Sequence, residues 1–183
     1  MCMSKISIEY NPLLHYNEIG YHKTYSIYKE SIIENGFKPS CDDDDWLGEG
    51  IYFWDNLDNA NWWNKNKNKG TMKHCVFQCE LRCKANKYLN LDDKNEMNKF
   101  DIFSKQYIKE MRKLGEKIPK FGNNNQRKKF FCDLYCKKNN FEILSHTFEH
   151  DIINSAGFKV GIEYKRQICV RENSNIKIIA VKE

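Results

Sequence analysis

Proline is scarce, three residues in 183, and no apolar stretch approaches the roughly 20 residues that a membrane span needs. The opening MCMSKISIEY has no apolar core of the kind a secretory signal carries. The expectation is therefore a cytoplasmic chain with no membrane partner. No G-x-G-x-x-G and no G-x-x-x-x-G-K-[ST] occurs, which excludes the two commonest sequence-encoded phosphate cradles. A serine elbow and H-E-x-x-H are missing too. With no internal repeat and no dividing linker, residues 1–183 are expected to form one domain with one core.

Cysteine, by contrast, is plentiful, with eight residues. Without a secretory signal these are expected to be reduced thiols. Cys75, Cys79 and Cys83, beside His74, have a superficial ligand spacing. In CVFQCELRC, however, they alternate with polar residues as on a half-buried strand. Cysteines four apart on a strand sit roughly 13 Å from each other, too far to share one ion. His146 and His150 in HTFEH have helical ligand spacing but lack a third ligand. No metal is expected.

Periodicity predicts an α+β fold with strands towards both ends and a helical insertion in the middle. A short helix is expected over HKTYSIYKESIIENGF, capped by Thr24, with Tyr25, Tyr28, Ile32 and Ile33 inward and Gly36 as its stop. The loop KPSCDDDDWLGEG follows, its four aspartates repelling one another towards solvent. GIYFW reads as a strand and DNLDNANWWNKNK as a helix. The cysteine strand runs on into KYLNLDD. From Asp93, Met97, Phe100, Phe103, Tyr107, Ile108, Met111 and Leu114 mark the longest helix. RKKFFCDLYCKK is a second helix with Phe130, Phe131, Leu134 and Tyr135 inward. FEIL, GFKVGIEY, RQICVR and NIKIIAV are the closing strands.

The net charge of +5 is unevenly spread. Residues 105 to 138 hold eleven Lys and Arg against three acids. Such a segment is either the solvated face of helices or the electrostatic footprint of a nucleic-acid partner.

Three islands carry chemistry. They are His22-Lys23-Thr24, then Gly48-Glu49-Gly50-Ile51-Tyr52-Phe53 with Ala60-Asn61-Trp62, and finally Gln167-Ile168-Cys169-Val170-Arg171. Their order resembles the His-Tyr-Glu class of ADP-ribosyltransferases, the poly(ADP-ribose) polymerase-like and diphtheria-toxin-like branch. That family reads His-Gly-Ser/Thr, then Gly-Lys-Gly-Ile-Tyr-Phe with Ala-Asn-Tyr, then Glu opening a Glu-Tyr-Ile-Val-Tyr strand. The acidic DDDDWLG lead-in resembles compact bacterial toxin and phage-defence members.

The resemblance implies a split β-sandwich that consumes NAD as a substrate. By this likeness His22 holds the adenosine ribose with help from Thr24, and Tyr52 stacks under the nicotinamide. Trp62 takes the second stacking position, with its neighbour Trp63 as the alternative. Lys23, where the family has glycine, Gly50 and Ala60 complete the implied binding set. The catalytic set is His22, Tyr52, Gln167 and, as a supplementary carboxylate, Glu149.

Gln167 departs from the family's glutamate. Its amide offers an acceptor oxygen but no charge and cannot take a proton. Chain elongation is then lost, while a single transfer to a strong nucleophile survives. The basic segment favours a nucleic-acid acceptor, RNA before DNA, with a protein acceptor and an antitoxin partner as further alternatives. Two rival readings are an inactive member that binds NAD or ADP-ribose, and a basic RNA-binding module whose rings stack bases.

Overall fold

A computed structural model describes residues 14–40, 42, 45–67 and 72–183. Among these described residues, seven strands and four α-helices follow the order β1 (His15–Tyr25), α1 (Lys29–Asn35), β2 (Ile51–Trp54), α2 (Leu57–Lys67), β3 (His74–Lys84), β4 (Tyr88–Asn90), α3 (Lys94–Lys113), α4 (Asn124–Asn139), β5 (Ile143–Ile153), β6 (Lys159–Val170) and β7 (Ile176–Lys182). The strands join in one sheet, β4-β5-β6-β2-β1-β3-β7. All neighbours are antiparallel except β4 and β5. Parallel neighbours require a crossover, and α3 with α4 are that crossover. The helical insertion is thus a structural necessity of the β4–β5 pairing.

The sheet has a seam. β1 and β3 pair along eleven residues, from His15↔Lys84 to Tyr25↔His74, whereas β1 meets β2 through the single pair Tyr21↔Trp54. About this seam the two halves turn towards each other. Ile51, Phe53, Ile143, Ile168 and Val170 of one half share a buried cluster with Cys75, Phe77, Cys79 and Leu81 of the other. At one end Tyr16 of β1 stacks on Tyr88 of β4 at 3.8 Å between ring centroids, and Arg166 of β6 pairs with Glu18 of β1. A second cluster packs Leu89, Leu144 and Cys169 against Tyr135 and Cys136 of α4, and a third packs Trp54 and Val76 against Ala60 of α2.

Several sequence expectations need correction. The helix expected from Thr24 is a strand up to Tyr25, a 3-10 turn over Ser26–Tyr28, and α-helix only over Lys29–Asn35. Thr24 caps nothing, because it pairs with Cys75 in the ladder. The stop holds: the Gly36 amide closes on the Ile32 carbonyl. HTFEH lies inside β5, so His146 and His150 have strand spacing. GFKVGIEY and RQICVR are one strand, β6. In α4 the buried stripe is Phe131, Cys132, Tyr135 and Cys136, with Phe130 and Leu134 only half-buried. Leu114 ends α3 with 73% of its surface exposed.

The alternation read in β3 is present, with Cys75, Phe77, Cys79, Leu81 and Cys83 all buried. The six cysteines among the described residues are free thiols. Among the described residues no helix is long and apolar enough to cross a membrane.

Candidate functional site

The site forms beside the seam, where β1, β2 and β6 converge. On β1, the His22 imidazole approaches the Tyr52 carbonyl through Nδ1 at 2.8 Å. A carbonyl only accepts, so Nδ1 carries the hydrogen and a neutral ring keeps Nε2 as a free acceptor. Phe37 meets the ring edge-on at 5.0 Å and Phe53 lies at 5.7 Å. Burial lowers the His22 pKa, partly opposed by the Tyr52 carbonyl.

The glycines of WLGEGIYFW have separate reasons. Gly48 has φ +94°, the left-handed region that glycine enters without strain. Gly50 lets β2 press on β6, since an added Cβ would lie 2.5 Å from the Cys169 sulfur and 2.8 Å from the Val170 carbonyl oxygen. The loop before β2 is closed by a two-way backbone pair. Ser40 N–H donates to Gly50 O at 2.7 Å, and Gly50 N–H returns to Ser40 O at 3.2 Å. Arg171 and Asp133 grip the same loop. Arg171 donates to the Glu49 carbonyl, and Asp133 accepts from the Glu49 amide. The Tyr52 hydroxyl donates to Gly48 O at 2.7 Å, and its ring packs against the cluster of Leu47 and Cys169.

Gln167 lies in register between Trp54 on β2 and His146 on β5. It is 6% exposed, and its Oε1 has no hydrogen-bond partner. A buried acceptor left unmatched costs about 1–3 kcal/mol. Natural folds keep few such atoms, and Gln167 also lines a cavity.

That cavity encloses about 170 Å³ and is lined by His22, Lys23, Gly50, Tyr52 and Gln167 together with Trp54 and Trp63. Three islands distant in sequence therefore share one wall. His22 and Lys38 also line an adjoining cavity of about 390 Å³ that runs along α1 past Thr24, Tyr28 and Phe37. His22 and Lys38 are the residues that the two cavities share.

Other expected site residues lie elsewhere. Ala60 is fully buried under α2. Trp62 does not line the cavity: its ring meets His150 at 4.5 Å and carries the Lys165 ammonium at 4.3 Å from its centroid. Trp63, the alternative, is in the wall. Glu149 is exposed and pairs with Tyr164, whereas His146 pairs with Gln167. Three residues along a strand is an odd step, so Glu149 occupies the opposite face from Gln167.

The residues not foreseen come from the loop before β2. Ser40, Asp42, Asp45 and Trp46 line the first cavity. Asp45 is half-buried, which contradicts a wholly solvated aspartate run; Asp43 and Asp44 lie outside the described residues. Above this loop stands α4, with Lys128 over the Trp46 ring at 4.7 Å and Lys129 donating to the Asp42 carbonyl at 2.8 Å. The basic segment thus overhangs the rim of the cleft.

Cys169, beside Gly50, brings no thiol chemistry to the site. Burial pushes its pKa up to about 12, and a protonated thiol is a poor nucleophile. Among the described residues no three His, Cys, Asp or Glu side chains gather as a metal site requires. No family model matches the chain, and no curated protein matches it at a significant level.

Proposed function

We propose that the chain is an NAD-dependent ADP-ribosyltransferase that releases nicotinamide and passes a single ADP-ribose to a nucleic-acid acceptor, RNA before DNA. The observation that carries this reading is the meeting of His22, Tyr52 and Gln167 on one cavity, with the Gln167 oxygen unmatched. Supporting it, residues of both halves of the sheet share one buried cluster, which is compatible with a split β-sandwich. Tyr52, Trp54 and Trp63 offer flat apolar walls to a pyridinium ring. The Gln167 oxygen and His22 Nε2 are acceptors for amide or ribose hydroxyl hydrogens. Lys23 and Lys38 bring positive charge to the cavity wall, where a pyrophosphate would lie. The second cavity leaves room for the adenosine half.

In this reading the nicotinamide is pinned between rings, the ribose is fixed by His22 and Gln167, and the acceptor attacks the ribose carbon as the base departs. The basic face of α4 at the rim suits a polyanionic acceptor. A toxin or anti-phage effector is the setting suggested by the family resemblance. A non-catalytic NAD or ADP-ribose binder is the second reading, favoured by the neutral amide at position 167.

The deciding experiment incubates the protein with labelled NAD and cell extract. Nicotinamide release, and label freed by nuclease but retained through protease, is the expected result. Label freed by protease alone would reassign the acceptor. Tight NAD binding without nicotinamide release would select the non-catalytic reading. His22→Ala is expected to lower turnover on the order of 10²-fold or more; an unchanged rate would overturn the site.

A further inference from the structure

The proposed reaction calls for a negative charge that Gln167 does not carry, and any role for a second carboxylate rests on that reading. As the bond between nicotinamide and the ribose C1′ breaks, positive charge builds on C1′ and the ring oxygen. An amide can accept a hydrogen bond there but cannot balance the charge. Two carboxylates, Asp42 and Asp45, line the cavity. Asp42 is exposed. Asp45 is half-buried, and its Oδ2 is shut off from solvent with no hydrogen-bond partner. Asp45 and Gln167 thus line the same cavity, and each carries one buried acceptor oxygen without a partner, where a fold ordinarily tolerates few.

The aspartate is also held in place. Its amide donates to the Asp42 carbonyl at 3.1 Å, and its own carbonyl accepts from the Gly48 amide at 2.9 Å. The Ser40–Gly50 pair ties that turn to β2, which carries Tyr52. Burial raises the Asp45 pKa from its ordinary value, partly opposed by a hydrogen bond with Ser40, a direction that favours proton uptake.

We propose that Asp45 is the carboxylate of this site, facing the cationic ribose and accepting the proton of the attacking group. The C1′–N bond breaks and its electron pair leaves with nicotinamide. A lone pair of the acceptor forms the new bond to C1′, and the acceptor's proton passes to the Asp45 carboxylate and then to solvent. NAD and an acceptor H–X thus give ADP-ribosyl-X, nicotinamide and one proton. With water as acceptor the product is free ADP-ribose.

The test compares the full-length wild-type chain, Asp45→Asn and the double change Asp45→Asn with Gln167→Glu. Nicotinamide release is followed kinetically, NAD binding by tryptophan fluorescence, and folding by thermal melting. Asp45→Asn is expected to lose about 10²-fold in kcat with KM within about threefold, because binding by rings and imidazole persists. The double variant, with a carboxylate restored from β6, is expected to regain at least about tenfold of that loss. An active wild type with Asp45→Asn at the same kcat overturns the inference. A double variant that folds and binds NAD yet stays as slow as Asp45→Asn also overturns it. A wild-type chain that neither binds NAD nor releases nicotinamide sinks the proposed function itself.

Discussion

In the proposed reaction ligand binding turns on His22, and its chemistry predicts a pH dependence. Its folded pKa lies below the ordinary histidine value of about 6.5 because the ring is buried. As pH falls, the unfolded chain takes up this proton before the folded one does. His22 therefore contributes stability in full above about pH 6.5, and that contribution is lost as pH drops towards the folded pKa. Protonation also removes the Nε2 lone pair. Turnover is expected to be level above neutrality and to fall on the acid side, with a midpoint below about 6.5. A His22→Gln variant should lose this limb; a profile unchanged by the substitution would detach the imidazole from binding. Single residues were unevenly legible in the sequence. Tyr52 and Gln167 stood out because their neighbours follow a motif order. Asp45 did not, because four adjacent like charges read as solvated, and its inward turn depends on a backbone pair between Ser40 and Gly50 that no local pattern announces.

At the level of elements, the phase of α2 decides which tryptophan does what. Trp63 borders the cavity with Trp54, while Trp62 supports Lys165, whose ammonium also reaches Glu163 at 3.0 Å and Asn59 at 3.2 Å. Stacking on one aromatic ring is worth about 1–3 kcal/mol. Trp63→Ala is therefore expected to weaken NAD binding about tenfold or more, with a small change in melting temperature. Trp62→Ala should lower the melting temperature by several degrees and leave NAD affinity within about threefold. Reversed effects in titration and melting would return Trp62 to the ligand. Adjacent tryptophans on a helix cannot be phased from sequence without knowing the packing face. Elements with a strong local period were legible: β3 through its alternation and α3 through its stripe, whose start at Asp93 is a cap that accepts from the Asn95 and Glu96 amides. β1 was not. HYNEIGYHKTY is polar on both faces, and most of its residues are only half-buried. Its identity as a strand comes from eleven partners in β3, a tertiary cause that overrides local preference.

Across the whole molecule, the uneven charge is expected to separate the two proposed activities. The basic residues of α3 and α4 do not line the cavity, and Lys128 and Lys129 of α4 reach its rim. Salt should therefore act on acceptor capture more than on NAD cleavage. Modification of RNA is expected to fall steeply between about 50 and 200 mM salt, by about 0.7 in log–log slope per phosphate contact. Nicotinamide release without acceptor should change little. Replacing Lys128 and Lys129 by alanine should reduce that slope by roughly 1.4 if each neutralises one phosphate. A slope unmoved by the double change would place the acceptor elsewhere. The α+β class and the order of most elements could be read from periodicity, but the sheet's doubling-back could not. It depends on contacts such as Tyr16 on Tyr88 between strands far apart in the chain.

The single rung between β1 and β2 gives that architecture a mechanical property. A full ladder would lock the spacing of its strands at about 4.8 Å and fix the mouth of the cleft with it. Here a single bridge leaves that spacing largely to side chains, among them His22 on the Tyr52 carbonyl, Tyr16 on Tyr88 and the Glu18–Arg166 pair. The width of the mouth is therefore a side-chain quantity, adjustable by substitution at a distance while the backbone ladders on either side stay intact.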